Sequence, residues 1–377
     1  MATTPALDLH DPAALPGTVR IRDWQAMDTT EAGPRWDALA QWASEPNPFY
    51  ERWYLLPALR ALSPRRVRLL CFEVGGDLAG LMPLAAPYRY YGRPIPHLAA
   101  WTHPNGFLGA PLVVRGMEHA FWRALLAHAD RHAGPGLFLH LADLPLSGAL
   151  TDALRDVLAG QNRLHALVWR EERAVLSSPL TPEAYLEESL SGKKRKELRR
   201  QHARLSELGA LTTARRHDEA GLKRWIEDFL TLEAAGWKGA AGSALACDPA
   251  TADLFRQALT GAAQARKLER LALMLDGRPI AMLASFLCPP FAFSYKTAFD
   301  ESLSRFSPGV LLQRDNLAIL SNCQITLTDS CASADHPMID HLWRERRAVG
   351  RVSIGIGGAF RREVFGQIVK RERQVEW

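Results

Sequence analysis

Residues 268–310 read LERLALMLDGRPIAMLASFLCPPFAFSYKTAFDESLSRFSPGV. Leu268 to Leu275 and Pro279 to Cys288 are apolar runs of strand length, joined through Asp276-Gly277. That pair is a hairpin signal, because a tight two-residue turn needs positive φ at both positions. Pro289-Pro290 ends the second run and turns the chain into a third strand, Phe291 to Ala298. A loop ending in Ser307-Pro308-Gly309 then opens a helix, Val310 to Ser321, with proline at its preferred first position. The uncharged stretch Pro279 to Tyr295 is cut by its proline pair into pieces too short to span a bilayer, which needs roughly 20 apolar residues. The reading is a buried meander feeding a helix.

Working outward, the pattern predicts strand Gln324–Asp329, helix Pro337–Arg347 and strand Arg351–Ile356 downstream. Upstream stand a strand from Leu211 to Arg215 and helices over Asp218–Ala235 and Pro249–Arg266. Thr181 and Pro182 start a further helix as N-cap and first residue, and Ser191-Gly192 interrupts it before a basic helix runs on to Gly209. The N-terminal half alternates in the same manner. It has a strand over Thr18–Trp24, helices Gly33–Ser44 and Phe49–Leu62, and a hairpin, Val67–Val74 with Leu78–Leu84, turning on Gly75-Gly76-Asp77. Helix Met117–His132, strand Leu137–Ala142, helix Gly148–Leu158 and strand Leu164–Val175 complete it. Thr181-Pro182 is taken as the boundary, giving a flexible leader over 1–16, an N-terminal half over 17–180 and a C-terminal domain over 181–377.

The chain has 377 residues, of which 47% are hydrophobic and 23% charged, enough for a core without disulfide or metal staples. A disordered chain and a multi-span membrane protein are excluded on that composition. The net charge of +5 is concentrated: residues 193–204, KKRKELRRQHAR, hold seven cations and one anion. Their face Lys193, Lys196, Arg200, Arg204 reads either as a solvated amphipathic surface or as a patch for an anionic ligand. The five cysteines are widely spaced with no CxxC pair, and the N-terminus has no cationic and apolar signal segment, so a cytoplasmic location is expected. GxSxG and P-loop motifs are absent. Gly355-Ile356-Gly357-Gly358 fails as a dinucleotide loop because Phe360 replaces the third glycine, and His128 with His132 lacks the glutamate of HExxH. No metal site is expected.

Five segments taken in order carry a resemblance: Leu232-Glu233 with Gly236-Trp237-Lys238-Gly239, Asp276-Gly277-Arg278-Pro279-Ile280-Ala281, Tyr295-Lys296 with Asp300-Glu301 and Ser307-Pro308-Gly309, Asp329-Ser330-Cys331-Ala332, and Asp335-His336-Pro337-Met338-Ile339. Over roughly residues 180 to 350 the chain is similar to GNAT-superfamily acyltransferases of the CelD/BcsL type, relatives of the FemAB-like proteins, which have two GNAT-like halves. The resemblance implies an α/β fold of two such halves, each a mixed central sheet flanked by helices. It also implies transfer of an acyl group from a thioester or ester donor to an amine in polysaccharide, cell-envelope or lipid metabolism. The donor would lie between two splayed parallel strands, by order Phe291–Ala298 and Gln324–Asp329. The family's pyrophosphate loop is altered, because proline stands where its first glycine belongs after Arg305. Three readings stay open: an acyl-CoA-dependent N-acyltransferase, an aminoacyl-tRNA-dependent transferase of the FemAB kind, and a catalytically degenerate binding module.

Such chemistry asks for a proton acceptor and for N–H donors toward the oxyanion. Glu233 closes the apolar helical face of Leu222, Trp225, Ile226 and Phe229, where an acid is out of place, and it is the candidate base. Lys296, Asp300 and Asp329 follow central strands and read either as site groups or as ion-pair partners. The candidates for holding the donor are Arg305, Ser307, Gly309 and Val310, at a helix start whose free N–H groups suit phosphate. Trp237, Lys238, Asp335 and His336 are the candidates for the acceptor, a small-molecule or saccharide amine.

Overall fold

A computed structural model describes residues 17–62 and 67–372, so the expected leader lies outside the described residues. The N-terminal stretch forms β1 (Thr18–Arg22), α1 (Ala32–Gln41), α2 (Arg52–Leu62), β2 (Arg68–Val74), β3 (Asp77–Ala85), β4 (Leu98–Ala100), β5 (Leu112–Val113), α3 (Glu118–His132), β6 (Phe138–Pro145), α4 (Ala149–Gly160) and β7 (His165–Leu176). There follow α5 (Pro182–Ser189), α6 (Gly192–Ser206), β8 (Leu211–Arg216), α7 (Leu222–Ala234), α8 (Trp237–Ala240), α9 (Pro249–Gln264), β9 (Leu268–Leu275), β10 (Arg278–Cys288), β11 (Phe291–Phe299), α10 (Pro308–Asn316), β12 (Leu327–Asp329), β13 (Glu345–Gly355) and α11 (Ala359–Val369). Both stretches run strand, helices, a group of strands, helix and strand; the first has β5 in addition and α4 before its last strand, where the second has turns between β12 and β13. The mixed α/β architecture of two like halves is as the sequence leads one to expect. No helix among the described residues is long and apolar enough to cross a membrane.

Contacts divide the described chain into two compact units, one of residues 17–52, 67–170 and 350–372, the other of 53–62 and 171–349. In the first unit β1, β2, β3 and β4 pair antiparallel in that order, and β4 then pairs parallel with β6 at Leu98↔Leu139. The end of β13 enters this unit and leads into α11, whose Phe365 and Val369 pack with Tyr90, Phe138 and Ala166.

The second unit repeats the arrangement with β8, β9, β10 and β11 antiparallel and β12 parallel to β11. The last residues of β7 close on the far side of β12, at Thr328↔Leu176 and Asp329↔Val175. The hairpin of β9 and β10 turns where the sequence places it, with Asp276 at φ 48° and Gly277 at φ 75°. Asp276 Oδ1 also accepts from the Ala210 N–H (2.8 Å), tying the turn to the start of β8. Against one face of the sheet α6 and α10 bury Leu198, Leu205, Leu311 and Leu312 on Leu271, Leu273, Ile280 and Leu283. On the other face Phe286 and Tyr295 meet aromatic rings of α2 and α9, Trp53, Tyr54 and Phe255.

The capping expectation at Thr181 holds, its Oγ1 accepting from the Ala184 N–H (3.2 Å), and at the Ser191-Gly192 interruption Ser191 Oγ accepts from the Lys194 N–H (3.4 Å) as a second cap. Two element expectations need correction. Residues 337–343 are not helical: the N–H groups of Ile339 and Asp340 both reach the His336 carbonyl, and those of Leu342 and Trp343 reach the Ile339 carbonyl. These turns bury Ile339, Leu342 and Trp343 beside Tyr185 and Leu317, so they reproduce the spacing a helix would give. β13 begins at Glu345, inside the span expected to be helical, and α11 follows the Gly357-Gly358 turn where no element is expected.

Candidate active site

The site begins where two strands part. β12 pairs with β11 at three positions only, Phe291↔Leu327, Ala292↔Thr328 and Phe293↔Asp329. β11 runs on to Phe299, so beyond Phe293 its backbone edge has no β12 residue beside it. At the same level β11 carries an extra residue: Ser285 pairs with Ser294 and Ala284 with Lys296, which leaves Tyr295 as a bulge. Such a bulge re-aims the side chains around it and increases the local twist.

Glu233, Lys238 and Lys296 gather at this edge. Glu233, in the last turn of α7, is buried, with both carboxylate oxygens occupied. Its Oε1 accepts from Lys238 Nζ (2.8 Å) and its Oε2 from the Leu245 N–H (2.8 Å). Lys238 Nζ also donates to the Thr297 carbonyl (3.3 Å), which fastens α8 to β11. The fold-back that allows this needs glycine at 239, where a Cβ would stand 1.8 Å from the Ala234 carbonyl oxygen. Lys296 is half-buried. Burial, then the charge of Lys238, pushes its ammonium down to about 8, against the opposing pull of Glu233 and Cys331. His336 is shifted down by burial and again by Lys238.

Near Lys296 stand the candidate Asp329 and, with it, groups that the sequence reading did not single out, Tyr54, Cys331 and Arg173. Tyr54 and Tyr295 share a hydrogen bond between buried hydroxyls (3.1 Å), and burial pushes both phenols up. Cys331 has φ 53° and a buried thiol pushed up by burial and by Asp329. Asp329 is fully buried: its Oδ1 accepts from the Cys331 N–H (2.8 Å), and Arg173 (3.6 Å) and Arg347 (3.9 Å) flank it. Tyr54 and Arg173 lie far upstream in sequence, so no local motif could reveal them, whereas Cys331 stands within the Asp329-Ser330-Cys331-Ala332 segment itself.

Other candidates stand elsewhere. Asp300 caps the short helix 301–306: burial raises its carboxyl, but hydrogen bonds from Ser302 and Arg278 outweigh this and hold it low. Trp237 is exposed, and its N–H donates to Glu301 Oε1 (2.8 Å). Asp335 is an exposed turn residue at φ 60°, and Arg305 is exposed with its guanidinium over the Phe306 ring. At the start of α10, Ser307 has φ 51° and accepts from Gln201 Nε2 (3.1 Å), while its carbonyl receives the N–H groups of Val310 and Leu311 (both 3.0 Å). Gly309 is packed, not open: a Cβ would stand 2.5 Å from Met338 Sδ. Ser307 and Val310 instead border a cavity of about 370 Å³, with Lys194, Leu198, Gln201 and Met338 among its other walls. Among the described residues no group of three or more His, Cys, Asp or Glu is placed to hold a metal ion.

Comparison with known families gives a match over residues 192–322 to an acetyltransferase (GNAT) domain, spanning α6 to the end of the 317–321 turn after α10. This segment is a GNAT domain. Solved structures with the same fold extend across the chain. FemX is 10% identical, with TM-score 0.57, covering 90% of this chain and 98% of its own. A protein of unknown function from Bacteroides thetaiotaomicron is 9% identical, with TM-score 0.57, covering 90% and 100%. The C-terminal DUF2156 domain from Agrobacterium fabrum, described as that of a lysylphosphatidylglycerol synthetase, is 11% identical, with TM-score 0.53, covering 92% and 99%. At these identities the likeness is one of fold. No curated protein matches the chain. The GNAT domain thus includes the free edge of β11, with Glu233, Lys238 and Lys296.

Proposed function

We propose that this protein is an N-acyltransferase that moves an acyl group from acyl-CoA to an amine, with the reaction at the free edge of β11. The observation that carries the proposal is the parting of β11 from β12 beside a bulge and the Glu233–Lys238–Lys296 group. A parted strand leaves backbone groups that can hold an extended donor arm by hydrogen bonds, as a neighbouring strand would. The cavity beside Ser307 and Val310 suits the donor's phosphates, since Lys194 and Gln201 offer donors on its wall.

In this reading the amine attacks the thioester carbonyl, loses a proton and expels a thiolate. Glu233 is poorly placed as the base, because its two oxygens already hold an ammonium and an N–H. Its role here is to fix Lys238 against β11. Lys296, whose amine is neutral in part at neutral pH, takes the proton from the attacking nitrogen. The acceptor is read as a saccharide amine or an amino acid, in a cytoplasmic setting. Lys193, Lys196, Arg200 and Arg204 stand exposed along one face of α6, and this row favours the second reading, an aminoacyl-tRNA donor.

The two readings separate in a thermal-shift series with acetyl-CoA, a long-chain acyl-CoA, free CoA and charged tRNA, since a ligand of the native state raises its melting temperature. Stabilisation by acyl-CoA, with thiol release on adding amines, is expected. A shift with charged tRNA alone selects the second reading, and stabilisation by acyl-CoA without transfer to any amine leaves a binding module.

A further inference from the structure

We propose that Lys296 is itself an acylation site: when no acceptor amine occupies the cleft, the acyl thioester modifies its Nζ and the enzyme is held inactive. The inference rests on the donor reading above. Lys296 directly follows the bulged Tyr295, at the level where β11 has no β12 residue beside it, and the donor reading puts the thioester carbonyl there. Among the groups acting on Lys296 are Glu233 on α7, Lys238 on α8, Cys331 after β12 and the Tyr295 ring, 5.8 Å from Nζ. The charge of Lys238 and the burial of the site both work against a second ammonium there.

A neutral amine held beside a thioester is a nucleophile whether or not it belongs to a substrate. Nζ bonds to the carbonyl carbon, the carbon–sulfur bond breaks, and the proton released by the nitrogen goes to the departing thiolate. The products are an Nζ-acyl-lysine and a free thiol. The amide cannot protonate, so Lys296 no longer accepts a proton, and the acyl group fills the gap.

The test uses the full chain incubated with acetyl-CoA and no amine, followed by peptide mapping. Lys223, exposed on α7, reports adventitious acetylation. Acetylation of Lys296 is expected to outrun that of Lys223 at least tenfold and to quicken as pH approaches about 8. Free CoA should suppress it at Lys296 but not at Lys223, Lys296→Arg should abolish that site's signal, and the acetylated enzyme should lose turnover in proportion. Equal labelling of the two lysines, or labelling untouched by CoA, would overturn the proposal. It also fails if acetyl-CoA stabilises the protein or acylates an added amine while Lys296 stays unmodified, and the donor reading then survives. If acetyl-CoA neither stabilises the protein nor is consumed, the donor reading fails and this proposal with it.

Discussion

Replacing Lys296 by methionine should make the protein more stable at pH 7, against the usual outcome for a polar site residue. The native ammonium titrates near 8 and the unfolded one near its ordinary 10.5, so between those values the unfolded chain binds more protons. Stability of the parent therefore rises with pH across that window, and below it the native state carries the full cost of the buried charge. Lys296→Met removes that cost, so its melting temperature should exceed the parent's at pH 7 and the gain should fade between about 8 and 10.5. Melting curves over that range check it, and a constant gain would show that packing, not charge, is responsible. Residues of this kind were legible to different degrees. Glu233 stood out because an acid closing the apolar face of Leu222, Ile226 and Phe229 has to be buried, and it is. Which groups occupy its oxygens was not legible, because Leu245 and Lys238 reach it only after the chain folds back at Gly239.

At the scale of elements, the turn before α10 shows how a motif can be located correctly while the space around it stays unread. Ser307-Pro308-Gly309 opens the helix as the proline and glycine indicate, yet the glycine answers to packing: Met338 Sδ would stand 2.5 Å and Phe299 Cδ1 3.2 Å from a Cβ at 309. Gly309→Val should cost about 1–3 kcal/mol, the ordinary range for overpacking a tight site. Met338→Ala in the same chain should recover most of that, as urea unfolding would show. Donor affinity measured in the double variant then separates backbone contact with phosphate from simple disruption, which the single variant cannot do. Met338 belongs to the 337–343 turns, inside the span expected to be a helix, and Ile339, Leu342 and Trp343 there do have helical spacing. Burial fixes that spacing whichever backbone supplies it, so periodicity alone could not tell turns from helix. The β9–β10 hairpin was legible for the opposite reason: Asp276-Gly277 satisfies a backbone requirement wherever its flanks are apolar.

For the whole molecule, the succession of strands and helices showed two stretches of roughly alike content, and the resemblance implied two like halves, but which residues complete each unit was not readable. The compact division falls inside β7 and inside β13, and α2 is counted with the second unit although it precedes most of the first. Nothing in a run such as His165–Leu176 marks where along a strand one set of contacts gives way to another. This yields a prediction about a fragment beginning at Thr181, where capping residues invite a cut. That fragment lacks Val175 and Leu176, which pair with the three-residue β12, and Arg173, one of two arginines beside the buried Asp329. It also lacks Trp53 and Tyr54, whose rings lie 4.9 and 5.9 Å from that of Phe286, and the hydroxyl that meets Tyr295. Losing one large buried aromatic side chain typically costs about 3–5 kcal/mol. Loss of the buried Tyr54 and the half-buried Trp53, an opened β12 edge and a half-paired buried carboxylate together reach the range of roughly 5–15 kcal/mol by which a domain is stable. Residues 181–377 alone should therefore show no cooperative urea transition, while the full chain shows one. Adding back residues 171–180 restores the strand and Arg173 but not the α2 aromatics, so it should not suffice. A sharp two-state transition from the fragment starting at Thr181 would mean that the GNAT domain fills the place of Trp53 and Tyr54 by repacking its own side chains.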